Sequence, residues 1–216
     1  MTDEPPIAGA ILAGGASRRM GRDKAFVEID GVPMVSRVAA VLTESGCSSV
    51  VVVGGDAAAL GRVGLERIDD AWPGEGPLGG VITALRWAGG PVLVVACDLP
   101  DLSVGAVRAL LGTARRQDVR PVAAEAPGPG LDGVDGVYGV DVVVADGGRL
   151  EPLLAVWSHA ALGRLEDRFV VRGERAVHRV LEGGPGAELT VCRVPIDPAV
   201  VRNVNSPVDV LGRRSS

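Results

Sequence analysis

The segment of residues 12–24, near the start of the chain, has the composition of a phosphate-binding loop. It reads Leu-Ala-Gly-Gly-Ala-Ser-Arg-Arg-Met-Gly-Arg-Asp-Lys and follows an apolar run, residues 7–12, that is typical of a short buried strand. Its glycines let the backbone approach a ligand, its amides can point at anions, and three arginines and Lys24 can balance negative charge. Open α/β sheets bind ligands at the carboxyl ends of their strands, so this segment predicts a polyphosphate site.

One aspartate is expected at the end of the clearest buried strand, residues 91–96. Asp98 follows that strand, and Pro100 prevents the strand from continuing, so the Asp98 carboxylate should project from its carboxyl end. Mg²⁺ takes one or two carboxylates together with phosphate oxygens and water, which makes Asp98 a candidate magnesium ligand. The alternative is an aspartate that only shapes the turn after the strand.

The rest of the chain supplies the elements that must position these residues. Short apolar runs alternate with helical patterns, which predicts right-handed βαβ units and a mainly parallel sheet. Strands are expected at residues 7–12, 50–53, 65–68, 91–96, 119–124, 141–145, 150–157, 191–195 and 200–204. Helices are expected at residues 34–42, 57–60, 78–88, 104–116, 160–168 and 174–182, and a last one begins near Ser206.

The C-terminal half departs from this alternation. Residues 125–139 are rich in glycine and proline and lack a period, which indicates a surface loop. Residues 141–145 and 150–157, joined by an Asp-Gly-Gly turn, predict a hairpin or a bent strand pair, which breaks the parallel pattern. No boundary leaves enough sequence on both sides for two independent cores, so we expect one domain over residues 1–216.

Composition limits the classes of partner. The net charge of −5 argues against binding to duplex nucleic acid, which needs a basic face. No apolar run approaches the length of a membrane span, and the three widely separated cysteines match neither a disulfide framework nor a zinc site. The sequence therefore favours a reduced cytoplasmic protein that binds a small anion and has no nucleic-acid or membrane partner.

The glycine pattern in residues 12–24 matches neither the P-loop nor the dinucleotide-binding fingerprint. It resembles instead the signature of the molybdenum cofactor guanylyltransferase family. Four later stretches follow in the order of that family: Pro-Gly-Glu-Gly-Pro-Leu-Gly-Gly at 73–80, Cys-Asp-Leu-Pro at 97–100, Glu-Pro-Leu-Leu-Ala-Val-Trp at 151–157 and Asn-Val-Asn-Ser-Pro at 203–207. The resemblance covers nearly the whole chain.

The resemblance implies a fold and an activity. The implied fold is a Rossmann-like three-layer α/β/α sandwich, with a mainly parallel sheet and an antiparallel portion in the C-terminal half. The implied activity is that of a Mg²⁺-dependent nucleotidyltransferase, which moves GMP from GTP to molybdenum-molybdopterin, releases pyrophosphate and forms the molybdopterin guanine dinucleotide cofactor. A molybdoenzyme or a cofactor-handling protein is the implied macromolecular partner.

The same resemblance assigns residues to the site. The implied catalytic residues are Arg19, Lys24 and Asp98, with Asp98 as the ligand of magnesium. The implied nucleotide contacts are Leu12, Ala13, Gly14, Gly15, Lys24, Asp70 and Asp98, and the implied acceptor contacts are Asn203 and Asn205.

Some of these assignments keep a simpler alternative. Arg18 and Arg22 are equally compatible with solvated charges. Asp69 is an alternative to Asp70 as the nucleotide contact, and either aspartate can cap a turn. The two asparagines stand before Ser-Pro, where asparagine also serves turns and helix caps.

Several other positions bear on the site. His159 and His178 have no paired ligand spacing and are expected on helix surfaces, and Cys97 is expected to be a small buried strand residue. Gly-Gly at 54–55 stands where some members of the family carry an asparagine, so a side-chain contact to the nucleotide is absent or replaced there. The loop at 125–139 falls beside the implied acceptor side and leaves acceptor specificity open.

Two other functions stay open on the sequence alone. A cytidylyl- or sugar-phosphate nucleotidyltransferase would share the 12–24 loop and Asp98, although the Leu-Ala-Gly-Gly and Gly-Pro-Leu-Gly-Gly stretches favour guanine. A non-catalytic nucleotide-binding protein that delivers the cofactor belongs to another class. It is disfavoured because Lys24 and Asp98 are both present.

Overall fold

The computed structural model describes residues 6–13, 24–117, 139–182 and 189–204. Three of the predicted elements fall outside the described residues. They are the strand at 119–124, nearly all of the loop at 125–139 and the helix that begins near Ser206.

Within the described ranges, a seven-stranded sheet forms the centre of the fold. In chain order the strands are β1 (Ala8–Leu12), β2 (Glu28–Ile29), β3 (Val32–Pro33), β4 (Val50–Val53), β5 (Arg67–Ile68), β6 (Val92–Ala96), β7 (Val142–Asp146), β8 (Leu150–Trp157) and β9 (Val191–Pro195). The large sheet has the order β5-β4-β1-β6-β8-β7-β9, while β2 and β3 pair separately as a small antiparallel ribbon.

The sheet is parallel except around β8. Strand β1 runs parallel to β4 and β6, β4 to β5, and β7 to β9, whereas β8 runs antiparallel to both β6 and β7. The hairpin predicted over residues 141–157 is therefore confirmed, and β8 starts at the edge where β6 ends. Val95 pairs with Leu154 near this edge, and Asp98 and Glu151 both line a cavity there.

Helices cover the sheet on both faces. They are α1 (Met34–Ser45), α2 (Ala57–Arg62), α3 (Pro77–Ala88), α4 (Val104–Arg116), α5 (Leu162–Glu166) and α6 (Val177–Leu181). Short 3₁₀ turns occupy Lys24–Phe26, His159–Ala161 and Pro198–Val201, and a π-helical turn occupies Asp167–Val171. The helix predicted at 160–168 is thus divided among three kinds of turn, and the one predicted at 174–182 begins only at Val177.

The helix ends follow local rules of capping. The Ser103 side chain accepts a hydrogen bond from the Ala106 N–H at the start of α4, and Asp56 accepts one from the Ala59 N–H at the start of α2. Gly46 ends α1 in the left-handed conformation, with φ of 93°, which glycine adopts without steric cost. These signals explain why α2 and α4 begin where the sequence predicted.

The strand predicted at 200–204 is wrong. Pro198–Val201 forms a 3₁₀ turn instead, because the Asp197 carboxylate accepts a hydrogen bond from the Ala199 N–H at 2.8 Å and Pro198 suits the first position of a helical turn. Residues 202–204 then continue without joining the described sheet. The Val204 N–H donates to the Asp98 carbonyl at 3.1 Å, so this segment passes directly beside Asp98.

Alternating side chains of the strands feed two separate apolar cores. Ile11 of β1 and Val95 of β6 pack with α1 and α4 on one face. Ala10 of β1 and Val94 of β6 pack with α3, α5 and α6 on the other. The two cores and the sheet between them make the three-layer α/β/α sandwich that was expected. Among the described helices, none combines the length and the apolar character that spanning a membrane requires.

Candidate active site

The carboxyl ends of the parallel strands meet at one edge of the sheet. Strand β1 leads into Ala13, β4 into Gly54, and β6 into Asp98, while the antiparallel β8 contributes its first residues, including Glu151, to the same edge. Doubly wound sheets form their ligand crevices at this edge, where the strand order changes direction. The structure thus brings together segments that are far apart in sequence.

Lys24 and Asp98 form an ion pair at this edge. The Lys24 Nζ atom lies 2.6 Å from the Asp98 Oδ2 atom, although the two residues are 74 positions apart in the chain. Their side chains are only 13 % and 18 % exposed, so water screens the pair less than it screens a surface pair. Two of the three implied catalytic residues are therefore in direct contact.

The second oxygen of Asp98 has a different environment. Asp98 Oδ1 is buried and accepts no hydrogen bond from any residue that the structure describes. A buried carboxylate oxygen without a donor is costly unless something else binds it. No group of three or more His, Cys, Asp or Glu side chains within the described ranges could hold a metal ion by itself. Asp98 is accordingly suited to a hard cation that takes its other ligands from a substrate and from water.

A cavity of about 390 Å³ opens beside Asp98. Its polar lining comes from Asp98, Glu151, Arg175, His178 and Asn203, and the rest is apolar. The hydrogen bond between Val204 and the Asp98 carbonyl explains why Asn203, an implied acceptor contact, reaches this cavity. The expectation that His178 is a surface residue is confirmed, since it is exposed, yet it also lines the cavity.

Glu151 is a carboxylate that sequence reasoning did not assign to the site. Burial raises the pKa of the Glu151 carboxyl above its ordinary value, the Arg149 guanidinium opposes this rise, and the Asp98 carboxylate adds to it. The signal was available, because Glu151 opens one of the family stretches noted above. Arg175 was missed for a better reason: it lies in none of those stretches, and no periodic pattern marks it.

The nucleotide-loop residues are described only in part. The Ala13 N–H donates to the Val53 carbonyl at 3.1 Å, and the Leu12 carbonyl accepts from the Cys97 N–H at 3.3 Å, so these groups serve the sheet. The amide of Ala13 is therefore engaged in the sheet, and a nucleotide contact from Ala13 stays a prediction. The positions of Gly14, Gly15, Arg18, Arg19, Arg22 and Asn205 lie outside the described residues.

The two adjacent aspartates have different surroundings. Asp69 is 88 % exposed and pairs with the Arg67 guanidinium at 2.7 Å. Asp70 Oδ1 accepts hydrogen bonds from the Trp72 N–H at 3.0 Å and from the Thr83 hydroxyl at 3.3 Å. Asp70 thus closes the turn that leads to α3, which is the capping role considered for it. Neither aspartate lines the cavity beside Asp98, and a nucleotide contact from Asp70 stays a prediction.

Two glycines of α3 allow the helix to approach its neighbours closely. A Cβ atom at Gly80 would lie 3.1 Å from the Leu12 Cδ2 atom, and one at Gly79 would lie 3.1 Å from the Trp72 Cβ atom. Gly80 therefore lets the start of α3 pack against the end of β1, and Gly79 lets it pack against Trp72. This is the physical reason for the glycines in the Gly-Pro-Leu-Gly-Gly stretch.

Comparison with known proteins agrees with this architecture. A family model described as the MobA-like NTP transferase domain matches residues 9–189. A probable molybdenum cofactor guanylyltransferase of Opitutus terrae is 34 % identical over 177 residues, which cover 80 % of this chain and 76 % of that protein. One of Chloroflexus aggregans is 34 % identical over 214 residues, which cover 94 % and 91 % of the two chains.

A solved structure shows the same fold. The crystal structure of the molybdopterin-guanine dinucleotide biosynthesis protein A from Archaeoglobus fulgidus superimposes with a TM-score of 0.66 over 95 % of this chain and 96 % of that one, at 23 % identity. The order of motifs, the site at the edge of the sheet and the family match agree with one another. The chain belongs to the MobA-like NTP transferase family, in which its relatives are molybdenum cofactor guanylyltransferases.

Proposed function

We propose that this protein transfers GMP from GTP to molybdenum-molybdopterin, releasing pyrophosphate and forming molybdopterin guanine dinucleotide. The observation that carries the proposal is the Lys24–Asp98 ion pair, which lies at the sheet edge beside a cavity of about 390 Å³. The names of the relatives support the choice of nucleotide and acceptor. The fold alone would not identify the nucleotide or the acceptor, because one fold serves several nucleotide substrates.

The reaction makes one phosphorus–oxygen bond and breaks another. An oxygen of the acceptor's terminal phosphate attacks the α-phosphorus of GTP, and the bond from that phosphorus to the bridging oxygen breaks as pyrophosphate leaves. Such a displacement needs alignment of the two phosphates and neutralisation of their charge more than it needs a proton shuttle. Lys24 supplies a cation at the sheet edge, and Arg19 is proposed as a second one.

Asp98 is the proposed ligand of Mg²⁺. The fit rests on its buried Oδ1 atom, which has no donor among the described residues, and on the preference of Mg²⁺ for carboxylate, phosphate and water oxygens. When bound, the ion would neutralise charge on the phosphate oxygens of the nucleotide. The contact from Lys24 to Oδ2 fixes the orientation of the Asp98 carboxylate, and Oδ1 is the atom proposed to bind the ion.

The acceptor is proposed to enter the cavity from the side of Asn203. The Asn203 amide and the His178 side chain offer hydrogen-bond donors to an anionic acceptor, and the apolar part of the lining suits a flat ring. Asn205 is a proposed second contact. A molybdoenzyme or a cofactor-handling protein is the proposed recipient of the product.

A nucleotide panel tests the proposal. Purified protein is incubated with molybdenum-molybdopterin, Mg²⁺ and GTP, CTP, ATP or UTP in turn, and pyrophosphate release is measured. We expect release with GTP that depends on the acceptor. Preference for CTP would indicate a cytidylyltransferase instead, and binding of GTP without release would indicate a nucleotide-binding delivery protein.

Two variants connect the assay to the site. Asp98→Asn should abolish release while retaining some binding of GTP. Asp146→Asn is the matched control, because Asp146 ends β7 at the same sheet edge but pairs with Arg193 at 3.9 Å and does not line the cavity. Normal turnover in Asp98→Asn would refute the proposed metal ligand.

A further inference from the structure

Arg175 connects two parts of the chain that the sequence motifs treat separately. One is the turn-rich loop of residues 69–77, which leads into α3, and the other is the segment of residues 167–177, which leads into α6. The Arg175 side chain is partly exposed and lines the cavity beside Asp98. It therefore lies between the loop of residues 69–77 and the cavity proposed for the acceptor.

Contacts within its own segment fix the Arg175 guanidinium. The Nη1 atom donates to the Phe169 carbonyl at 2.7 Å and to the Glu174 carbonyl at 3.2 Å. The guanidinium carbon also lies 4.1 Å from the centroid of the Phe169 ring, which is a cation–π contact. Contacts within residues 167–177 are thus sufficient to orient the Arg175 side chain, independently of its contacts with the loop of residues 69–77.

The same residue then holds the loop at three points. Its Nη2 atom pairs with Glu75 Oε2 at 2.8 Å, and its backbone carbonyl accepts from the Leu78 N–H, in the first turn of α3, at 3.3 Å. Gly76 packs on its backbone so closely that a Cβ atom there would lie 3.0 Å from the Arg175 carbonyl oxygen. Side chain and main chain of Arg175 both face this loop.

The rest of the loop is braced by the same segment. The Trp72 ring centroid lies 5.0 Å from that of Phe169, and the Trp72 N–H donates to Asp70 Oδ1 at 3.0 Å. Asp70, the predicted nucleotide contact, is consequently connected through Trp72 to Phe169, and Arg175 stacks on Phe169. A substitution of Arg175 is therefore expected to shift Asp70 indirectly, through Phe169 and Trp72.

We propose that Arg175 is a positioning residue for the nucleotide: it sets the conformation of residues 69–77 and thereby the position of Asp70 and of the first turn of α3. The proposal rests on the proposed function for the identity of the nucleotide and on the predicted role of Asp70 as its contact. A planar guanidinium can stack on a ring while its nitrogens bond in several directions, and an ammonium cannot. Lysine is therefore not an adequate substitute at this position.

The test uses five variants of the full chain: Arg175→Gln, Arg175→Lys, Glu75→Gln, the double variant that combines Arg175→Gln with Glu75→Gln, and the control Arg179→Gln. Arg179 is a suitable control because Arg179→Gln removes the same charge, while the ion pair of Arg179, to Glu174 at 3.8 Å, does not involve residues 69–77. The first measurement is hydrogen exchange of the amides of residues 69–79 in nucleotide-free protein. The second is the dissociation constant of Mg²⁺–GTP together with KM for GTP, kcat and KM for the acceptor.

We expect Arg175→Gln and Arg175→Lys to speed exchange in residues 69–79 and to weaken GTP binding by about tenfold, the effect of losing one charge-assisted contact. The loss should fall on KM for GTP more than on kcat, and Glu75→Gln in the Arg175→Gln background should add little. Equal changes in Arg179→Gln would overturn the proposal, because the effect would then be one of charge alone.

Two further outcomes separate the proposal from its alternatives. An increase confined to KM for the acceptor would refute the positioning role and make Arg175 an acceptor contact. Unchanged exchange in Arg175→Gln would refute it whatever the reaction proves to be. If the wild type itself fails to transfer GMP, the proposed function is rejected. Faster exchange and weaker nucleotide binding in Arg175→Gln would then still support the positioning role.

Discussion

At the scale of single residues, the Lys24–Asp98 pair presents an energetic question that its catalytic assignment does not answer. The pair is neither fully buried nor exposed, with side-chain exposures of 13 % and 18 %. Removing one partner from such a pair leaves the other charge poorly solvated, which costs more than the pair contributes as a whole. Both residues therefore have a share in stability in addition to any share in chemistry.

A double-mutant cycle measures that share. We expect Lys24→Met and Asp98→Asn each to lower the free energy of unfolding, by about 1–3 kcal/mol, between the values for surface and buried pairs. The double variant should lose less than the sum of the two, with a coupling of about 1–2 kcal/mol. Urea unfolding at pH 7 gives these values. Additive losses would mean that the two charges act independently, and transfer should be absent from all three variants.

Glu174 supplies a second prediction, which concerns pH. Hydrogen bonds from the Ala176 N–H, and next from the Arg175 N–H, hold the pKa of the Glu174 carboxyl below its ordinary value of 4.5, with help from the Arg179 guanidinium. A carboxyl whose pKa is lowered by folding stabilises the fold above the unfolded value, and this contribution is lost as the pH falls through the folded value. Glu174→Gln should therefore be less stable than the wild type at pH 7.

The difference should vanish in acid. Unfolding of both proteins by urea between pH 7 and pH 3 gives the difference in free energy as a function of pH. It should be constant above about pH 5 and shrink below 4.5, because the wild-type carboxyl then becomes neutral as well. A difference that does not shrink as the pH falls from 5 to 3 would mean that the loss comes from altered packing and not from charge.

Sequence reasoning identified the residues whose roles follow from local patterns. Asp98 was predicted as a site residue because it follows a buried strand that Pro100 prevents from continuing. Lys24 was predicted as a site residue because it ends a glycine-rich segment. Their direct contact across 74 positions could not be read from either pattern. Glu151 and Arg175 were missed because their place in the site depends on how β8 pairs with β6 and how the 167–177 segment folds.

At the scale of elements, the loop before α3 depends on a glycine for two separate reasons. Gly76 has φ of 96° and ψ of 170°, a conformation that is essentially reserved for glycine. A Cβ atom there would also press on the Arg175 carbonyl oxygen, at 3.0 Å. Gly74 shares only the first kind of constraint, since its φ is 83° and a Cβ atom would meet nothing within 4 Å.

Comparing alanine at the two positions separates backbone strain from contact. Gly74→Ala should cost about 1 kcal/mol of unfolding free energy, from its left-handed backbone alone. Gly76→Ala should cost about 2–3 kcal/mol, because strain and the contact with Arg175 add together. Only Gly76→Ala should also weaken the binding of GTP. Equal losses in thermal unfolding and in GTP binding would show that the contact with Arg175 contributes nothing.

Prediction of the elements succeeded where local signals and periodicity agree. The strand of consecutive valines at 50–53 and the capped helix α4 were both confirmed, since burial on two faces and a serine cap leave clear marks in sequence. The prediction failed at residues 200–204, which are as apolar as a strand. There Asp197 and Pro198 redirect the chain into a 3₁₀ turn, and a local hydrogen bond outweighs the apolar pattern.

At the scale of the whole molecule, the sheet is continuous across both halves of the chain. Strand β6, from the first half, pairs with β8, from the second, and the proposed site takes Lys24 and Asp98 from one half and Glu151, Arg175 and Asn203 from the other. The two apolar cores likewise mix residues of both halves. Among the described residues, unfolding of one half would therefore expose the core that it shares with the other, and the single domain over residues 1–216 stays a prediction.

The molecule is therefore expected to unfold in one cooperative transition. Trp157 lies fully buried in β8, whereas Trp72 is partly exposed in the loop before α3, so tryptophan fluorescence reports on both halves and circular dichroism on all elements. The midpoints from the two probes should coincide. Mg²⁺–GTP at a hundred times its dissociation constant should shift both together, by about 2.7 kcal/mol of unfolding free energy. Separate midpoints, or a shift confined to one probe, would show that the two halves fold independently and that the site does not unite them.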